Sequence, residues 1–303
     1  MARKKATEEE KEVLETYMLQ FLNIEKRFPL LPGIENTDAV ASFMGLEEEE
    51  LKELREGFDE NAKKAAMELL EEEGVAEWID QLPFKNDDTI VALGDSITDD
   101  RQGWFEILRH ALELTVEGAN FTFINSGIAN NTSTDALRRL NRDVLAHEPD
   151  WVIVALGTLD AQRLHVSPDR TVVPLAEFWE NANSIEAAVG DVTDNPLIWI
   201  TPPPVITEMQ QKMRLFDFDL FAEDLRNIRE IISGKKGYIV DPRGKRMGEK
   251  EPEAWNYLAD GLHPSLSGHV NTVKELLKTL ATAEEKEGSS IEPPEEYESG
   301  EEA

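Results

Sequence analysis

The chain has 303 residues, of which 40% are hydrophobic, so it can bury one sizeable core and a smaller appended unit. It contains no cysteine, which excludes disulfides, thiolate catalysis and cysteine-ligated metals. Its 62 acidic and 31 basic residues give a net charge of -31, which disfavours binding to nucleic acid or to anionic membrane surfaces.

The excess acid is concentrated at the two ends of the chain. Residues 1–80 hold 22 acidic and 10 basic residues, and residues 281–303 hold 9 and 1. Charged helices and an acidic tail account for this distribution, although dense surface acid is also typical of proteins adapted to high salt. Residues 284–303 combine Glu, Ser, Gly and Pro with few apolar residues, which predicts a disordered tail.

The N-terminal region, residues 1–80, has the pattern of amphipathic helices. Apolar residues recur at helical spacing from Val13 to Leu22 and again over residues 47–73. We expect these helices to pack on the following domain, to cover its site or to form a homo-oligomer contact. Residues 1–10 run into acid where a signal peptide needs an apolar stretch, so we expect a cytoplasmic location.

From residue 81 to 283, apolar runs alternate with helical patterns. The runs are short, continuous and rich in β-branched residues, as expected for strands buried on both faces of a parallel sheet. This alternation predicts a doubly wound, flavodoxin-like α/β/α sandwich with a five-stranded, mostly parallel sheet. The predicted strands are 89–93, 121–124, 151–156, 197–201 and 237–240, and the predicted helices are 103–115, 133–147, 174–188, 218–233 and 265–283.

The first strand is followed by Gly94-Asp95-Ser96, which places a serine hydroxyl at the strand's carboxyl end. In open α/β sheets, ligands bind beyond the carboxyl ends of the strands. A serine hydroxyl needs a base to take its proton and an acid to orient that base. Asp260 and His263, three residues apart after the last strand, supply an acid and an imidazole.

Two further segments follow predicted strands. They are Asn125-Ser126-Gly127 and Gly157-Thr158-Leu159-Asp160. Together with the Gly-Asp-Ser and Asp-x-x-His-Pro segments, they stand in the order and spacing of the SGNH, or GDSL, hydrolases. Over residues 88–282 the chain resembles that family.

The resemblance implies a serine esterase that needs no metal or organic cofactor. Ser96 would be the nucleophile, His263 the base and Asp260 the acid that orients His263. The backbone amides of Ser96 and Gly127 would bind the oxyanion of the tetrahedral intermediate. Short acyl esters are the expected substrates, and residues 201–216, which leave a strand at the same edge, are expected to wall the acyl pocket.

The sequence departs from the family pattern at one oxyanion position. Where the family has an asparagine, this chain has Leu159, which has no hydrogen-bond donor in its side chain. The loss of one such donor costs about 3 to 4 kcal/mol if nothing replaces it. Three nearby side chains are candidate replacements: Asn130, Asn131 and Gln162.

Other interpretations of these residues remain open at this stage. Leu159 allows a weakened or non-catalytic binding protein that retains the fold. Ser96 alone would also suit a helix N-cap. Asp95, Asp99 and Asp100 allow a metal-dependent hydrolase, because clustered carboxylates suit hard cations. The remaining histidines fit structural or surface roles: His110, His147, His165 and His269.

Overall fold

The fold is that of a computed structural model, which describes residues 7, 8, 12, 19–116, 118, 120–213, 216–243 and 252–282. Within the continuous range that starts at residue 19, four helices precede the sheet: α1 (Ile24–Arg27), α2 (Thr37–Met44), α3 (Glu48–Leu70) and α4 (Val75–Ile79). The expected acidic tail, 284–303, and most of the first predicted helix lie outside the described residues.

A five-stranded parallel sheet forms the centre of the molecule, in the order β2-β1-β3-β5-β7. Its strands are β1 (Thr89–Gly94), β2 (Thr122–Gly127), β3 (Trp151–Ala155), β5 (Ile198–Ile200) and β7 (Tyr238–Val240). All five lie within three residues of the predicted bounds, and the predicted α/β fold is confirmed. A separate antiparallel pair, β4 (Arg163–Leu164) with β6 (Phe218–Asp219), was not predicted because each strand has only two residues.

Helices cover both faces of the sheet because successive strand residues point to opposite sides. In β1, Ile90 and Ala92 pack with one core, whereas Val91 and Leu93 pack with the other. The helices after β1 are α5 (Ser96–Asp99), α6 (Trp104–Thr115), α7 (Ser133–Asp143), α8 (Leu175–Gly190), α9 (Thr207–Gln210), α10 (Ala222–Ser233) and α11 (Leu266–Thr282), with single 3-10 turns at Leu145–His147 and Ala254–Asn256.

The N-terminal helices α3 and α4 join the core on one face of the sheet. Ala62, Ala66 and Leu69 of α3 are buried in the same cluster as residues of α6 and α11. A second, smaller cluster links α2 and α3 through residues such as Val40 and Leu51. Helices α3 and α4 therefore share a hydrophobic core with the helices on this face of the sheet. Within the part of the chain described, no helix has the length and apolar content needed to cross a bilayer.

Candidate active site

Ser96 is placed by a tight turn at the carboxyl end of β1. The Asp95 carboxylate accepts a hydrogen bond from the Ile97 amide at 2.9 Å and thereby caps α5, whose first residue is Ser96. The cap is Asp95, so Ser96 does not have the N-cap role considered from the sequence. A Cβ atom on Gly94 would lie 2.1 Å from the Thr98 hydroxyl. Only glycine lets α5 pack this closely on the strand.

His263 and Asp260 reach Ser96 from the loop before α11. The His263 Nε2 atom lies 2.9 Å from Ser96 Oγ, and His263 Nδ1 lies 2.7 Å from Asp260 Oδ2. The other Asp260 oxygen accepts the backbone amides of Leu262 and His263, both at 2.9 Å. Ser96 and His263 are 5% and 7% exposed, so this chain of hydrogen bonds is almost closed to solvent.

The surroundings of Asp260 favour its charged form. Burial acts to raise the pKa of this carboxyl, but the hydrogen bond and the charge of His263, with the two backbone amides, outweigh burial. The pKa of Asp260 therefore lies below its usual value. A charged Asp260 fixes the proton of His263 on Nδ1 and leaves Nε2 able to accept a proton from Ser96.

Asp95 has the opposite environment. Burial raises its pKa to about 7, although the Ile97 amide and the charge of His263 act against this. The Asp95 carboxyl is committed to the turn through Ile97. By capping α5, Asp95 holds the turn that positions Ser96.

The Gly127 amide, expected to be an oxyanion donor, is already engaged. It donates to Asn125 Oδ1 at 3.0 Å. A Cβ atom at Gly127 would lie 2.4 Å from the Asp99 nitrogen, so glycine is needed here for the close approach of β2 to α5. The geometry thus gives Gly127 a packing role and does not present its amide as a free donor. Among the described residues, the Ser96 amide has no hydrogen-bond partner.

Asn130, Asn131 and Gln162 were the candidates to replace the hydrogen-bond donor that Leu159 lacks, and their side chains have the following contacts. Leu159 is buried in the apolar cluster on the α7–α8–α10 face. Asn131 accepts a hydrogen bond from Arg139 Nε at 2.7 Å, and Gln162 Nε2 donates to Asn130 Oδ1 at 3.3 Å. Asn130 has a left-handed backbone with φ 61°, and its backbone amide has no hydrogen-bond partner among the described residues.

Arg139 holds the loops around Ser96 together, a role that was not predicted from the sequence. This buried side chain donates to the carbonyl oxygens of Gly94 at 3.0 Å and Ser126 at 2.7 Å, which stand at the ends of β1 and β2. A third bond reaches Asn131. An arginine on the apolar side of an otherwise polar helix would have been the available signal.

The three carboxylates considered for a metal site face different partners. Asp95 caps α5, Asp99 pairs with Lys26 at 2.7 Å, and Asp100 accepts from Gln20 and His269 at 2.9 and 3.0 Å. In the described ranges, no group of three or more His, Asp and Glu side chains is arranged to hold a metal ion. These carboxylates are used to join segments of the chain.

The segment that follows β5 packs against the loop that carries Asp260 and His263. The Ile206 amide donates to the Gly261 carbonyl at 2.8 Å, and the Tyr257 hydroxyl donates to the Pro204 carbonyl at 2.7 Å. Gly261 has φ 64°, and a Cβ atom there would lie 2.7 Å from the Ile206 oxygen. The part of 201–216 that the structure describes is therefore adjacent to Asp260 and His263. Its role in binding an acyl group stays a prediction.

The chain is similar to known proteins over more than half of its length. The profile of the GDSL-like lipase/acylhydrolase family matches residues 92–270. An acetylxylan esterase of Geobacillus stearothermophilus is 25% identical over 210 residues, which cover 63% of this chain and 93% of that protein. An uncharacterized lipoprotein, YqeF of Bacillus subtilis, is 36% identical over 102 residues, which cover 30% of this chain and 39% of that one.

Solved structures share the fold. A lipase/acylhydrolase from Enterococcus faecalis aligns with a TM-score of 0.50 and 24% identity, covering 63% of this chain and 94% of that one. A variant of an acetylxylan esterase from Geobacillus stearothermophilus aligns with a TM-score of 0.53 and 22% identity, covering 65% and 96%. The profile match spans more than half of the chain, and with the fold and the hydrolase relatives it identifies this protein as an ester-bond hydrolase of the GDSL-like lipase/acylhydrolase family.

Proposed function

We propose that the protein hydrolyses small acyl esters through a Ser96–His263–Asp260 triad and an acyl-enzyme intermediate. The observation that carries the proposal is the continuous chain of hydrogen bonds from Ser96 Oγ through His263 to Asp260. The 25% identity to an acetylxylan esterase supports a short acyl group, with acetyl as the first candidate.

In the first half of the reaction, His263 Nε2 takes the proton of Ser96 as Oγ attacks the ester carbonyl. The charge of Asp260 stabilises the imidazolium that forms. As the tetrahedral intermediate collapses, His263 returns the proton to the leaving alcohol oxygen, and the acyl group stays on Ser96. Water, deprotonated by His263, then attacks the carbonyl of the acyl-enzyme. As this second tetrahedral intermediate collapses, the bond to Ser96 Oγ breaks, His263 returns the proton to Oγ, and the carboxylic acid is released.

The oxyanion needs donors that are not already engaged. We assign this role to the backbone amides of Ser96 and Asn130, because both are unpartnered among the described residues and both follow strands at the same edge of the sheet. Asn130 takes the place expected for Gly127, whose amide donates to Asn125. Two backbone donors reduce the dependence on a side chain at position 159.

The test is a set of p-nitrophenyl esters from acetate to octanoate, together with labelling by a fluorophosphonate. The wild-type protein is expected to hydrolyse acetate and butyrate best and to carry the label on Ser96. Ser96→Ala is expected to lose the label and to lower kcat by about 10⁴-fold or more. Ser184→Ala, at an exposed position of α8, is the matched control and should match wild type. An unlabelled Ser96, or turnover that survives in Ser96→Ala, would refute the proposal.

A further inference from the structure

A segment outside the family match lies directly on the catalytic histidine. The Phe21 ring is centred 4.2 Å from the His263 imidazole, at an interplanar angle of 34°. Phe21 is itself only 4% exposed, so it fills the space beside the imidazole. We call residues 19–27 the N-terminal strap.

One anchor of the strap is Asp99, three residues after Ser96. Its carboxylate accepts hydrogen bonds from Asn23 Nδ2 at 2.5 Å and Lys26 Nζ at 2.7 Å, both from the strap. The other oxygen accepts the Ala129 amide at 2.9 Å. Asp99 thus joins the strap to the turn after the nucleophile and to the loop after β2.

The second anchor is formed by Asp100 and Arg101. Asp100 Oδ2 accepts from Gln20 Nε2 at 2.9 Å and also contacts His269 Nε2 at 3.0 Å. Arg101 donates its amide to the Gln20 carbonyl at 3.0 Å and its Nε to the Leu19 carbonyl at 3.1 Å. Gln20, Asp100 and His269 are all buried. Because buried polar groups are costly unless paired, these bonds hold Phe21 at one place.

The chemistry tells which part of an ester would meet Phe21. His263 must give its proton to the leaving oxygen, so the alcohol part of the ester lies beside His263 Nε2. The acyl part lies on the other side of the carbonyl carbon and does not need to approach the imidazole. A ring packed on the imidazole therefore limits the space for the alcohol.

We propose that Phe21, held by the N-terminal strap, is a specificity-determining residue that restricts the alcohol group of the ester. This inference rests on the proposed triad, because it uses the position of the leaving oxygen relative to His263. Phe21 is separated from the triad histidine by more than 240 positions and lies outside residues 92–270, so the family match does not assign it a role.

The experiment compares wild type with Phe21→Ala and Phe21→Leu on two ester series. In the first, the acyl group is acetyl and the alcohol is phenol or 1-naphthol, which have similar acidity. In the second, the alcohol is p-nitrophenol and the acyl group is acetyl or butyryl. Phe21→Ala is expected to raise the naphthyl-to-phenyl ratio of kcat/KM about tenfold, the usual scale for relief of a steric restriction in an apolar site. The butyryl-to-acetyl ratio should change less than twofold, and Phe21→Leu should be intermediate.

Phe28→Ala is the matched control, because Phe28 follows the strap and is 53% exposed. It should leave both ratios at their wild-type values. An unchanged alcohol ratio in Phe21→Ala, or a change confined to the acyl ratio, would overturn the assignment of Phe21.

A chemical readout that needs no turnover separates this inference from the proposed function. Diethyl pyrocarbonate acylates accessible imidazoles, and mass spectrometry reports His263 relative to the exposed His147. Phe21→Ala is expected to speed His263 modification at least fivefold relative to His147, and Phe28→Ala should not. If His263 is uncovered but no ester is hydrolysed and Ser96 is not labelled, the proposed function fails. If His263 modification is unchanged, the strap does not cover the histidine and the inference fails whatever the activity.

Discussion

The proposed catalytic edge, which comprises Ser96, Asp260 and His263, meets the N-terminal strap at His263, but the two regions are built in different ways. Ser96 is placed by the end of β1 and by a cap one residue away, and Asp260 is three residues from His263. The strap reaches the same edge through hydrogen bonds between residues 73 to 102 positions apart, such as those of Lys26 with Asp99 and of Arg27 with Ala129. The side chains of the proposed triad are thus placed by strand ends and short loops, whereas the ring that covers His263 comes from a distant part of the chain.

The largest expected effect comes from breaking the catalytic edge itself. Asp260→Asn keeps the shape of the side chain but removes the charge that orients His263 and stabilises its imidazolium. We expect kcat on p-nitrophenyl acetate to fall about 10⁴-fold, with the free energy of unfolding measured in parallel. Asp191→Asn, at an exposed position, should keep wild-type activity. If kcat falls less than tenfold in Asp260→Asn, Asp260 does not take part in catalysis.

The link between the two regions is tested at Asp99. Asp99→Ala leaves the Ala129 amide without its acceptor and removes the carboxylate that pairs with Lys26. The Asn23 side-chain amide loses the carboxylate and keeps only its bond to the Asp99 backbone carbonyl at 3.0 Å. We expect the free energy of unfolding in urea to fall by about 2 to 4 kcal/mol. Asp169→Ala is the control, because Asp169 is exposed to solvent and its replacement should cost under about 1 kcal/mol. Equal losses in the two variants would contradict the view that Asp99 anchors the strap.

The ionisation of Asp95 is expected to make the free energy of unfolding depend on pH. Burial raises the pKa of Asp95 from 3.8 to about 7, so between these values the folded protein holds a proton that the unfolded chain has lost. The folded state then binds more protons, and the contribution of Asp95 to stability falls as pH rises from about 4 to about 7. Asp95→Asn retains an oxygen for the Ile97 amide and does not titrate.

The measurement for this pH effect is urea unfolding of both proteins at pH 4, 5.5, 7 and 8. The stability of wild type relative to Asp95→Asn should decrease up to about pH 7 and then level off. Parallel pH profiles for the two proteins would mean that Asp95 ionises normally in the fold.

The smallest expected effect distinguishes the two kinds of oxyanion donor. Asn130→Gly removes the side-chain amide but keeps the backbone amide, and glycine adopts the φ of 61° without strain. We expect kcat to stay within about threefold of wild type, because the backbone amide is the proposed donor. A fall of about 100-fold, measured on p-nitrophenyl acetate, would instead assign the role to the Asn130 side chain.

The strands and the order of the catalytic segments were predictable from the sequence. Runs such as residues 90–93 are apolar at every position because both faces of the sheet are covered. A polar residue that closely follows such a run lies at the sheet edge. The proximity of Ser96 to His263 followed from the family resemblance. The short β4–β6 pair was too brief to leave a periodic signal.

By itself, the sequence determined the fold class and the five buried strands, because local hydrophobic patterns record which residues are buried. The resemblance to the SGNH hydrolases identified the candidate catalytic segments. Only the tertiary structure decided that the Gly127 amide is taken by Asn125, that Asp100 pairs with His269, and that Phe21 covers His263. These contacts depend on how separate elements approach one another. A polar or aromatic residue in a helical segment has the same local pattern whether it faces solvent or a catalytic histidine.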